Sequence, residues 1–110
     1  MDNNECAKIV KYNENNLPIK ITYYKTNSAY KLHNPNGPAL IYFYDNTSKP
    51  IVHIEIYYIN NKKHNLNGPA YIEYDMDGNI IKEQYFINDK KADPLQIEII
   101  KNEVCTNSKK

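Results

Sequence analysis

A seven-residue motif returns almost intact 31 residues downstream: His33-Asn34-Pro35-Asn36-Gly37-Pro38-Ala39, then His64-Asn65-Leu66-Asn67-Gly68-Pro69-Ala70. Six of the seven positions match, and a Tyr-rich apolar run flanks each copy. A period between about 20 and 50 residues is that of a stacked supersecondary element. A unit so short cannot cover its own apolar face, so copies must lie side by side to make a continuous core. The expectation is a small tandem array in which losing one unit unfolds its neighbours.

The character of the unit follows from the residues between the motifs. β-Branched and aromatic residues alternate with short polar breaks, and helix-length runs of period 3.6 are absent. Strands are expected near residues 7–12, 17–25, 38–44, 51–60, 69–75, 80–88 and 96–101. The fold class is therefore all-β, an antiparallel meander of about seven strands in a single curved sheet. The breaks at residues 13–16, 46–50 and 76–79 are rich in Asn, Asp and Gly, which tolerate the left-handed backbone of tight hairpins. Pro38 and Pro69 lack an amide proton, so each is expected at the first residue of a strand.

More than one motif repeats. Tyr23-Tyr24, Tyr57-Tyr58 and Tyr85-Phe86 occupy one slot, and Tyr12 precedes Tyr23 by the same interval as Tyr74 precedes Tyr85. A single domain with a partial unit at 9–32, full units at 33–63 and 64–91, and a degenerate C-terminal cap at 92–104 is expected, the cap having lost the Gly-Pro. Alternation puts Ile51, His53, Glu55 and Tyr57 on one side of a strand and Val52, Ile54, Ile56 and Tyr58 on the other. Both faces are thus partly apolar, as in a lone curved layer or half of a homodimer. Glu98 and Lys101 in the last expected strand guard against edge-to-edge growth.

Composition removes several functions. In 110 residues, 14 basic side chains nearly balance 13 acidic ones, so no field gathers nucleic acid or an anionic bilayer. Every basic residue is Lys, which removes the planar fork that reads phosphates and guanine edges. No apolar run reaches about 18 residues and no basic-then-apolar leader opens the chain. The expectation is no nucleic acid, no membrane span and a cytoplasmic location, in the host cytoplasm if the source is a virus. Cys6 and Cys105 match no zinc or redox spacing and are read as thiols rather than a terminus-to-terminus disulfide. Heavy use of Asn, Ile, Lys and Tyr fits an AT-rich genome, viral or bacterial.

The search for chemistry gives little. His33 and His64 hold one slot in successive units, but a metal needs three or four suitable ligands, and a place beside the turn suffices to explain them. His53 has Glu55 two residues on, without a nucleophile spaced for a triad. Ser28, Ser48 and Ser108 lie in polar connections. Asp75, Asp77 and Glu83 miss the twelve-residue calcium spacing and read as a hairpin turn. The isolated glycines Gly37 and Gly68 form no phosphate-cradling loop. No catalytic residue, cofactor or metal is expected.

The recurring Asn-Gly-Pro-Ala, the aromatic pair followed by Ile-Asn, and the turn at residues 74–79 together resemble the MORN-like family, in its divergent bacterial and viral branch of tyrosine-rich hairpin repeats. The resemblance covers roughly residues 9 to 92. The usual unit is shorter and carries an aromatic-Xaa-Gly signature where this chain has Asn-Gly-Pro-Ala. The resemblance implies a single-layer hairpin array that acts as an interaction or scaffolding module rather than an enzyme.

A tyrosine offers a large rigid face, a polar tip and little rotamer entropy to lose on contact, and the chain has 11 of them. Tyr23, Tyr57, Tyr58, Tyr71 and Tyr85, with Glu55, are the expected partner-binding residues. His33, Asn36, Gly37, His64, Asn67 and Gly68 are the expected turn residues. The function expected is non-catalytic protein binding by a monomer or homodimer, as a virus- or phage-encoded inhibitor or a toxin-immunity component. The alternative is a binder of a small anionic ligand or lipid headgroup, with Lys62-Lys63 and Lys90-Lys91 as a phosphate rim.

Overall fold

The structure is a computed structural model that describes residues 6–26 and 31–108. In chain order the strands are β1 (Cys6–Tyr12), β2 (Pro18–Lys25), β3 (Leu40–Phe43), β4 (Val52–Ile56), β5 (Tyr58–Ile59), β6 (Lys62–Lys63), β7 (Tyr71–Tyr74), β8 (Ile80–Ile87) and β9 (Lys90–Ala92), followed by helix α1 (Pro94–Ser108). Seven strands make one antiparallel sheet in the order β1-β2-β3-β4-β7-β8-β9, while β5 and β6 pair as a separate small hairpin. The described residues form an all-β meander followed by one helix.

That helix replaces the strand expected at residues 96–101. The Asp93 carboxylate accepts from the Gln96 amide at 2.8 Å and the Asp93 carbonyl from Ile97 at 3.2 Å. Asp93 is thus the N-cap, and Pro94 sits at the first helical position, where its missing amide proton is no loss. Ile97 is buried while Leu95 and Ile99 stay exposed, so the isoleucines do not form the two-sided pattern of a strand.

The hairpin tips share one construction. A backbone bond closes each, Asn13 to Leu17, Tyr44 to Ile51 and Asp75 to Asn79, at 2.8–2.9 Å. Just before each lies a register shift, at Lys11/Tyr12, Tyr42/Phe43 and Glu73/Tyr74. Asn13 Oδ1 accepts from the Asn15 and Leu17 amides, and Asp75 Oδ1 from those of Asp77 and Asn79. Asp75 therefore organises a turn, and these bonds, led by the Asn79 amide, hold its carboxyl below the usual range. At the other rim, Asn60-Asn61 and Asn88-Asp89 are two-residue turns with φ of 49°, 72°, 50° and 74°. Positive φ at both positions is the twist-matched hairpin turn for which Asn and Asp are suited.

The strands after Pro38 and Pro69 start two residues later than expected, at Leu40 and Tyr71. The prolines end the preceding turns, and it is Ala39 and Ala70 that enter the ladder. Ala39 donates to the Ile56 carbonyl and accepts from the Tyr23 amide, and Ala70 donates to Gln84 and accepts from Tyr57. Both alanines are 0% exposed. Leu40, Ile56, Ile72 and Phe86 join them as the buried apolar residues of the sheet, and no large side chain among the described residues is fully enclosed. The other sheet among the described residues, the two-stranded β5-β6 hairpin, is too small to enclose one in a molecule measuring 54 × 37 × 21 Å.

Cross-strand register sorts the faces. Ile21, Ile41, Glu55, Ile72 and Glu83 pair in succession and share one face. Thr22, Leu40, Ile56, Tyr71 and Gln84 share the other. The shift at Tyr42/Phe43 makes His53 the extra residue of a bulge, and its ring leaves the side of Glu55 expected from alternation. His53 Nε2 lies 3.6 Å from Glu73 Oε2, and its ring stacks on Tyr44 with centroids 4.1 Å apart.

Candidate functional site

The two motif turns are built alike. Asn34 Oδ1 accepts from the Asn36 amide at 3.0 Å while its Nδ2 donates to the Pro38 carbonyl at 3.0 Å. Asn65 makes the same two bonds, to Asn67 and Pro69, at 2.9 Å each. One asparagine thus ties both ends of its own loop. The side chain at the next position takes no part in these bonds, which explains why Pro35 and Leu66 can differ.

Each histidine anchors its loop to the neighbouring hairpin. The amides of His33 and His64 donate to Tyr23 and Tyr57, and those of Asn34 and Asn65 donate to Tyr58 and Phe86. His33 Nδ1 accepts from the Asn60 amide at 3.0 Å, and His64 Nδ1 accepts from the Asn88 amide at 3.1 Å. An accepting Nδ1 carries no proton, so both rings are neutral with the proton on Nε2. Burial pushes both pKa values down, with the Lys25 charge adding to the effect at His33. The histidines hold turns together, and the Cys6 thiol donates to the His33 carbonyl at 3.1 Å. The side chains of Cys105 and Ser108, and all of Ser28, lie outside the described residues.

Between the two turns lies an open groove of about 590 Å³. Residues 34–37 and 64–69 form its sides, with Tyr57, Ile59 and Ile72 supplying aromatic and aliphatic surface. The turn residues Asn36, Gly37, His64, Asn67 and Gly68 all line it, whereas His33 is buried behind its loop at 5% exposure.

The expected partner-binding residues are divided between the faces. Tyr23, Tyr57 and Tyr85 extend the face of Ile21, Glu55 and Glu83 by the two-residue period, and each is half-buried. Tyr71 lies on the opposite face, paired with Ile56, and Tyr58 belongs there by the same period. Tyr71 donates to Glu73 at 3.2 Å beneath the Lys82 ammonium, 5.7 Å from the ring centroid. Glu55 accepts from the Tyr74 hydroxyl at 2.7 Å. Burial first, and then Glu55, push the Tyr74 phenol up to about 12. Of the lysine pairs, Lys63 places its ammonium 4.8 Å from the Phe86 ring centroid, and Lys62, Lys90 and Lys91 are exposed.

The groove itself was not legible in the sequence. Its signal was the placement of two like turns 31 residues apart, which only becomes a cleft once β4 and β7 are known to be adjacent. No helix among the described residues is long and apolar enough to cross a membrane. Comparison with protein-family models, with curated proteins and with solved structures gives no match.

Proposed function

We propose that this chain is a non-catalytic protein-interaction module of the MORN-like kind, its hairpin units presenting a tyrosine-bearing sheet face to a protein partner. The observation that carries this reading is the gathering of Tyr23, Tyr57, Tyr85 and Glu55 on one half-buried face of the seven-stranded sheet. Rigid aromatic side chains that are partly covered supply contact area at low entropic cost. Three side chains that chemistry could use are engaged in holding the fold. His33 and His64 accept turn amides, and Glu55 accepts the Tyr74 hydroxyl. A viral inhibitor or an immunity protein for a toxin is the kind of role such a module serves. The lysine-rimmed anion site is the weaker reading, because the Lys63 ammonium lies over Phe86.

The test is affinity isolation from the source cell with the full chain as bait, repeated with Tyr85→Ala. A saturable partner whose binding weakens by about tenfold in the variant is expected, the effect of one interface anchor. A partner held equally by both proteins, or a turnover activity that depends on His53 or Glu73, would overturn the reading.

A further inference from the structure

Gly37 and Gly68 are not required by the fold that contains them. Neither has φ in the left-handed region, which among the glycines only Gly78 adopts. A Cβ built at Gly37 would meet only Asn34 Nδ2, at 3.7 Å, and one at Gly68 only Asn65 Nδ2, at 3.9 Å, both ordinary van der Waals contacts. Glycine is favoured at the last position of such a turn but any residue fits there at negative φ. Both glycines nevertheless face one groove, from equivalent places in its two walls. A glycine with room to spare beside a cleft is the mark of a site where another backbone comes close.

The chemistry of the lining says what kind of backbone. No lysine, aspartate or glutamate lines the groove, so a charged ligand would lose its hydration there without finding a counter-ion. The exposed carboxamides of Asn36 and Asn67 each offer a donor and an acceptor, the complement of a peptide bond. His64 has its Nδ1 occupied by Asn88 and so turns an Nε2–H donor outward. Tyr57, Ile59, Leu66 and Ile72 give apolar surface for side chains.

We infer that the groove between the two Asn-Xaa-Asn-Gly-Pro turns is a docking site for an extended, uncharged peptide segment, whose backbone crosses the wall glycines while its apolar side chains rest on Tyr57 and Ile72. This rests on the protein-interaction reading and gives its site and the form of its partner. The segment binds by amide pairing and apolar contact, so its affinity is insensitive to salt.

The experiment selects binders to the full chain from a random-peptide phage library and measures the synthetic winners by calorimetry at low and high salt. Expected winners carry no net charge and bind alike at both salt concentrations. Gly37→Ala and Gly68→Ala are expected to leave the melting temperature unchanged or raised while weakening the peptide. Gly68→Leu, folded by circular dichroism, is expected to weaken it by roughly tenfold or more. Winners that are charged and salt-sensitive, winners held equally by Gly68→Leu, or a library that yields none would each overturn the groove assignment. The broader reading fails separately: a cellular partner lost in Tyr85→Ala but retained in Gly68→Leu would keep protein binding and reject the groove.

Discussion

Replacing His33 with Phe tests the clamp between one turn and the next hairpin. The side chain is 5% exposed, and its Nδ1 accepts the Asn60 amide at 3.0 Å. Phenylalanine occupies nearly the same space without an acceptor. A donor left without its partner costs about 1–3 kcal/mol. Asn60 is itself exposed, so water replaces part of the bond and the lower half of that range, about 1–2 kcal/mol, applies. For a domain of this size about 4 °C accompanies each kcal/mol, and thermal denaturation is expected to show a fall of about 4–8 °C. His33→Asn, whose Oδ1 can take the place of Nδ1, is expected to recover most of it. The pH dependence supplies a second reading. The unfolded histidines bind protons near the ordinary value of 6.5, while folded His33 and His64 resist protonation. Below that pH the unfolded state therefore holds more protons, and stability falls as pH drops from 6.5 toward the lower folded values. The double variant His33→Asn, His64→Asn is expected to flatten the curve in that window. The carboxylates Asp45 and Asp75, also pushed down, act only below their ordinary value of 3.8. A His33→Phe protein that melts with the wild type, or a double variant with an unaltered pH profile, would refute the clamp.

Three further outcomes are expected. Gly78 has φ of 87° in an exposed tip, so Gly78→Ala should lower stability by about 1–2 kcal/mol, and Gly78→Asn by less, in urea titrations. Ultraviolet titration of the phenols should show Tyr57, Tyr58 and Tyr71 ionising above the ordinary value and Tyr74 latest, near 12, and Glu55→Gln should bring Tyr74 partway back, since burial remains its first cause. Removing the N-cap with Asp93→Ala should cost about 1 kcal/mol and reduce the helical signal of α1 in circular dichroism while leaving the sheet signal.

The meander was legible because strand alternation and turn chemistry are local. Asn13 and Asp75 announce their turns by side chains that bond within a few residues, whereas Asn60 and Asn61, whose side chains bond Lys25 and Leu32 far along the chain, stood at the end of an expected strand. The helix α1 was missed although Asp93-Pro94 states an N-cap and a first helical proline. Reading that stretch as a degenerate cap that had lost its Gly-Pro concealed the signal, and Ile97, Ile99 and Ile100 then looked like a strand. His53 shows the other failure, for a bulge moves one ring across the sheet and alternation cannot announce it. Its carboxylate partner is therefore Glu73, whereas Glu55, two residues away in sequence, holds Tyr74. The turn residues Asn36, Gly37, Asn67 and Gly68 were visible, but their meeting in one groove depends on which strands are neighbours.

Two like turns are each pinned to the next hairpin through a histidine ring. This pinning is tested most directly by nitrogen-15 NMR of the imidazoles at neutral pH. Both His33 and His64 are expected to show unprotonated Nδ1, with couplings across hydrogen bonds to the amides of Asn60 and Asn88. Rings protonated at Nδ1, or two histidines in different states, would contradict it.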